Sequence, residues 1–93
     1  MIDMESRVHV PEEVLFHELA GEGIILHQET GKYYGLDEVG TRMWVLVTHH
    51  GTLEPALRDL LEEYDVTEEQ LRHDLLAWVE ELASHALLEI DEA

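Results

Sequence analysis

Apolar positions change period partway along the chain. Val14-Leu15-Phe16-His17-Glu18-Leu19 and Ile24-Ile25-Leu26-His27-Gln28 are short runs rich in β-branched and aromatic residues, and each is bounded by turn chemistry. Gly21-Glu22-Gly23 is expected to turn the chain between them, and Glu29-Thr30-Gly31 turns it into a third run, Lys32-Tyr33-Tyr34-Gly35-Leu36. These three runs predict an antiparallel meander. After Asp37 the spacing becomes helical. Asp37 caps a helix carrying Val39, Met43, Leu46 and Val47 on one face, and it ends near His49-His50-Gly51. Thr52 is expected to cap a second helix, with Pro55 in its first turn and a stripe of Leu53, Leu57, Leu60, Leu61 and Tyr64. Thr67-Glu68-Glu69-Gln70 reads as a capping box opening a third helix of about 18 residues. Its broad apolar face holds Leu71, Leu75, Trp78, Val79, Leu82 and Ala86. Leu87-Leu88-Glu89-Ile90-Asp91 alternates as a short final strand does. Residues 1–10 read as a mixed N-terminal tail, in which Val8 and Val10 offer a short edge strand before Pro11, and residues 11–91 as one domain. The fold class is α+β, winged helix-turn-helix-like: a three-stranded antiparallel sheet followed by three helices.

Composition narrows the function. The chain has 93 residues, enough for one modest core. Twenty-two Asp and Glu stand against five Lys and Arg, a formal charge of −17. A three-helix domain with a β-wing suits DNA, but groove docking needs Lys and Arg on phosphates. The third helix offers Arg72 against Glu68, Glu69, Asp74, Glu80 and Glu81. The field has the wrong sign, so no nucleic acid partner is expected. No apolar run is long enough to span a bilayer, and Met1–Ser6 has neither the basic region nor the apolar run of a signal peptide. A cytoplasmic protein without a membrane partner is expected.

Catalysis finds little support. Cysteine is absent, Ser occurs only at Ser6 and Ser84, and the acidic pairs Glu62-Glu63, Glu68-Glu69 and Glu80-Glu81 fall on solvent faces of helices. The seven histidines include no His-Glu-x-x-His or i,i+4 pair, so spacing argues for no metal site. Phosphate-binding loops are absent. No catalytic residue and no cofactor is expected.

What remains is the third strand. Lys32–Leu36 lies at one edge of the meander, and an edge strand presents unpaired N–H and C=O groups to an incoming strand. Tyr33, Tyr34, Gly35 and Leu36 leave it poorly defended, with Lys32 as the one gatekeeper. Leu71, Leu75, Trp78 and Leu82 on the third helix offer an apolar floor, and Asp74 an acidic margin. The competing reading is plain packing: one tyrosine on the core, one in solvent, and the helix stripe wholly core.

From Gly23 to Ile90 the chain resembles the PqqD-like proteins, the recognition elements for precursors of ribosomally made, post-translationally modified peptides. The resemblance rests on Tyr33-Tyr34-Gly35-Leu36-Asp37-Glu38-Val39-Gly40, Met43-Trp44, Gly51-Thr52, Asp74 through Leu82, and Leu87-Leu88. Asp37 replaces the usual Asn, Trp78-Val79 a typical Phe-Leu, and Ala86 a common Gly. The resemblance implies a non-catalytic module that takes up a leader peptide as an added strand on the third strand, against the third helix. Tyr33, Tyr34, Gly35, Leu36, Leu71, Asp74, Leu75 and Trp78 would then form the peptide site. It further implies delivery to a processing enzyme. In a lasso peptide system, toward which this chain's length and acidity lean, that enzyme is a leader peptidase or cyclase. In the quinone-cofactor pathway it is a radical SAM enzyme. A winged-helix transcriptional regulator is the remaining alternative.

Overall fold

The computed structural model describes residues 2–91. β2 (Val14–Leu19), β3 (Glu22–His27) and β4 (Lys32–Leu36) form an antiparallel sheet in the order β2-β3-β4. The helices α1 (Glu38–His50), α2 (Leu53–Glu63) and α3 (Glu68–Ser84) follow. This is the α+β succession of three strands and three helices that the sequence predicts.

The turn between β2 and β3 sits one step earlier than expected. Leu19 pairs with Glu22, so the loop is Ala20-Gly21, with φ of 55° and 84°. Two successive positive φ angles make the tight turn whose twist matches the flanking strands. Gly23 belongs to β3, and packing explains its small size there. A Cβ at Gly23 would lie 2.4 Å from Phe16 Cε1, and the Phe16 ring stacks on Trp44 of α1 at 5.4 Å. Gly31, at φ 73°, turns the chain into β4 as expected.

Each helix begins on its expected residue, but by different bonds. Asp37 Oδ1 accepts from Gly40 N–H at 2.8 Å. Thr52 holds the N-cap position of α2 without a side-chain cap bond. The Glu54 N–H that it would serve donates instead to the Met4 carbonyl at 3.0 Å. Thr67 Oγ1 accepts from Gln70 N–H at 3.2 Å, yet the Gln70 side chain does not return to the cap. It donates to Asp74 Oδ1 at 2.9 Å, a charged acceptor one turn on.

Within residues 2–10, the short edge strand offered at Val8 forms. β1 (Arg7–His9) pairs antiparallel with β5 (Glu89–Asp91), and the Val8 N–H donates to Gly51 O at 2.9 Å. Met4 and Val8 are buried. Both short strands were legible in the sequence, but their pairing was not, because the partners lie about eighty residues apart.

The core lies between the inner sheet face and the helices. Ile25, Val47, Leu53, Leu57, Leu60, Leu75, Val79 and Leu87 are fully buried. Each such aliphatic side chain contributes about 1.5–3 kcal/mol on burial. Trp44 is also core.

Candidate functional site

β4 pairs with β3 on one side and, among the described residues, with no strand on the other. Its register is Gly23↔Leu36, Ile24↔Gly35, Ile25↔Tyr34 and Leu26↔Tyr33. Thr41 fixes the end of this ladder. Its hydroxyl accepts from Gly23 N–H at 2.8 Å and donates to the Leu36 carbonyl at 3.4 Å. The Leu36 backbone is thereby directed toward β3 and α1. Antiparallel alternation then turns the Tyr33 and Gly35 backbone groups toward the open edge.

Side chains of β4 divide by face. Tyr34 and Leu36 share the inner face with Ile25 and Gly23 and pack partly against the core. Tyr33 is 72% exposed on the outer face. The two tyrosines therefore split between core and solvent, as the packing reading has it, and the edge itself is made by backbone.

Tyr34 meets His85, at the C-terminal end of α3, with ring centroids 5.4 Å apart and planes tilted by 45°. Farther along the strand, β4 and α3 enclose a groove of about 480 Å³. It is lined by Gly35, Leu36, Asp37, Val39, Gly40, Met43, Asp74 and Trp78. Gly35, Leu36, Asp74 and Trp78 of the expected site are thus brought together. Leu71 and Leu75 are buried in the core and are not part of the groove lining. Tyr33 and Tyr34 lie outside its lining.

Val39 and Met43 are groove residues that the sequence reading assigned to the core stripe of α1. Val39 is 40% exposed. Helical spacing puts both on one face but does not say that the face outruns the core. On the outer sheet face a smaller groove of about 350 Å³ shares Gly35, Leu36 and Asp37 with the first, so β4 is flanked by apolar surface on both sides.

Three arginines are held in ion pairs outside the groove lining. Arg42 binds Glu63 through two bonds of 2.9 and 2.7 Å, which raises the Arg42 pKa and lowers that of Glu63. Arg58 and Arg72 both reach Glu54 and Glu68. Hydrogen bonds from Arg72 and then Arg58 hold the Glu68 carboxyl below its ordinary range. Asp74 stays exposed at the groove, paired with the neutral Gln70 amide.

The structure thus combines an α+β fold with a strand edge that is unpaired among the described residues, an apolar groove between that edge and the last helix, and an acidic margin. The sequence profile of the PqqD family, coenzyme PQQ synthesis protein D, matches residues 22–88, and the chain belongs to that family of PqqD-like recognition elements. It is similar to TbiB1, solved in complex with the TbiA(beta) leader peptide. The two are 32% identical with a TM-score of 0.83, over 87% of this chain and 94% of the other. A lasso peptide synthetase B1 complexed with its leader peptide shares the fold at 16% identity and a TM-score of 0.76, over 89% of this chain and 98% of the other. A search of curated proteins returns no significant match. Among the described residues no helix is long and apolar enough to cross a membrane.

Proposed function

We propose that this chain captures the leader segment of a ribosomally made precursor peptide by strand addition to β4 and delivers it to a processing enzyme, a leader peptidase or cyclase of a lasso peptide system. The observation that carries the reading is the free edge of β4 beside the groove of Gly35, Leu36, Met43 and Trp78. Backbone groups of Tyr33 and Gly35 provide register and affinity, and the groove takes an apolar anchor from the leader. Asp74 and the net charge of −17 favour a leader with Lys or Arg near that anchor. The module itself contributes no bond-making step. Delivery to a radical SAM enzyme is the second reading. It uses the same site and is favoured by the family match, whereas the fold shared with a lasso peptide synthetase B1 is what supports the lasso system.

Fluorescence anisotropy with labelled TbiA(beta) leader, and with the leader of the precursor encoded beside this chain, tests the reading. Saturable binding to at least one is expected. Gly35→Ala should fold as wild type, because a Cβ there meets open space in the free chain. Gly35→Pro removes an edge N–H and should weaken binding about tenfold, the worth of one lost hydrogen bond. No saturable binding to either leader would overturn the proposal.

A further inference from the structure

At the end of the sheet remote from the groove, three donors far apart in sequence converge. Glu13 precedes β2, His27 closes β3, and Glu29 lies in the turn leading to β4. One ring nitrogen of His27 and one carboxylate oxygen each of Glu13 and Glu29 lie within 4.8 Å of one another. His27 is only 4% exposed, and its Nδ1 has no hydrogen-bond partner among the described residues. A buried polar atom left unsatisfied is costly and asks for an explanation. The backbone holds the arrangement. Val14 pairs with His27, Gln28 N–H donates to Glu13 O at 2.8 Å, and Gly31 N–H donates to His27 O at 2.8 Å.

We propose that Glu13, His27 and Glu29 bind a divalent transition-metal cation, Zn2+ by preference. The donor set decides the class. An imidazole nitrogen selects zinc and its neighbours over magnesium and calcium, and two carboxylates supply the compensating charge. Zinc–ligand bonds of about 2.0–2.2 Å bring donors to about 3.5 Å from one another, so Glu13 and Glu29 close slightly on the ion. Three protein donors leave a fourth position for water. Lys32, the Cα partner of His27 on the same sheet face, is the neighbouring cation and takes no part in ligation. The ion clips the start of β2 to the end of β3 and to the turn that launches β4, and it stabilises the folded chain by mass action. This site is independent of the leader reading.

The test is isothermal titration of the full chain, stripped with chelator, with Zn2+ alone, alongside thermal melts. One Zn2+ per chain and a raised Tm are expected. Glu29 is an exposed turn residue, so Glu29→Gln leaves the fold intact. It should weaken binding by about tenfold or more, since even outer partners of a ligand are worth about 10- to 100-fold. His27→Gln should do the same and Glu12→Gln should not. Addition of Zn2+ should also shift the His27 ring resonances. Zn2+ uptake that fails to saturate at one ion, or that is equal in wild type, Glu29→Gln and His27→Gln, would mean diffuse binding to the acidic surface and overturn the site.

Discussion

The Thr41 hydroxyl sits 2.8 Å from the Gly23 amide and 3.4 Å from the Leu36 carbonyl, so one side chain of α1 joins the ends of β3 and β4. That contact sets where β4 stops, which way its backbone faces and how the chain enters α1. Thr41→Val keeps the shape and leaves a buried amide unpaired, at a cost of about 1–3 kcal/mol. Gly23→Ala drives a Cβ into the Phe16 ring and costs about 1–3 kcal/mol by overpacking. Urea unfolding of both variants measures these losses. A midpoint unchanged in either would remove Thr41 or Gly23 from this role.

The end of α3 carries strain that a single substitution relieves. Ala86 holds φ 60°, with Ala86 N–H donating to Ala83 O and Leu87 N–H to Leu82 O. This paired closure favours glycine at the left-handed position. Ala86→Gly should stabilise the chain by about 0.5–1 kcal/mol, the left-handed penalty less the added entropy of glycine. A lower Tm for Ala86→Gly would argue against that geometry.

His9 ties β1 to β5 through Asp91 and Glu89, each at 3.1 Å. The hydrogen bond to Asp91, reinforced by both carboxylate charges, raises its pKa above the ordinary 6.5. The bound proton therefore favours the folded state. This contribution is complete below pH 6.5 and is lost as pH rises through the folded value. His9→Gln should lower Tm on the acid side of that range and leave it unchanged well above. An equal loss at both ends would mean that the imidazole acts by packing alone.

Trp78 and Asp74 should separate anchor from steering. Trp78→Ala removes the aromatic wall of the groove and should cost leader binding about 2 kcal/mol, roughly thirtyfold. Asp74→Asn should change affinity only a few-fold and flatten its salt dependence, as expected of an exposed rim charge. Titrations at two ionic strengths distinguish the two effects. A salt dependence untouched by Asp74→Asn would place the steering charge elsewhere.

The sequence carried the meander, the three helices and their caps because periodicity and capping are local. Asp37, Gly51 and Thr67 all stand at the helix ends where their chemistry put them. It missed what depends on distant partners. Thr52 lost its capping bond to a carbonyl forty-eight positions upstream, and Val8 found its strand at Ile90. Of the candidate groove's lining, the sequence offered Gly35 and Leu36 as strand edge, Asp74 as margin and Trp78 as floor. Leu75 was not separable from the floor, because a helical wheel gives direction without depth. Val39 and Met43 escaped for the same reason. The Glu13–His27–Glu29 cluster had no spacing signature, since a hairpin brings it together.

Residue-resolved amide hydrogen exchange along Lys32–Leu36, with and without bound leader peptide, tests the central claim most directly. Strand addition predicts that the β4 amides facing the open edge, those of Tyr33 and Gly35, gain protection on binding, while amides already paired with β3 change little. Binding that protects only α3 or the outer sheet face, with β4 exchanging as in the free chain, would contradict it.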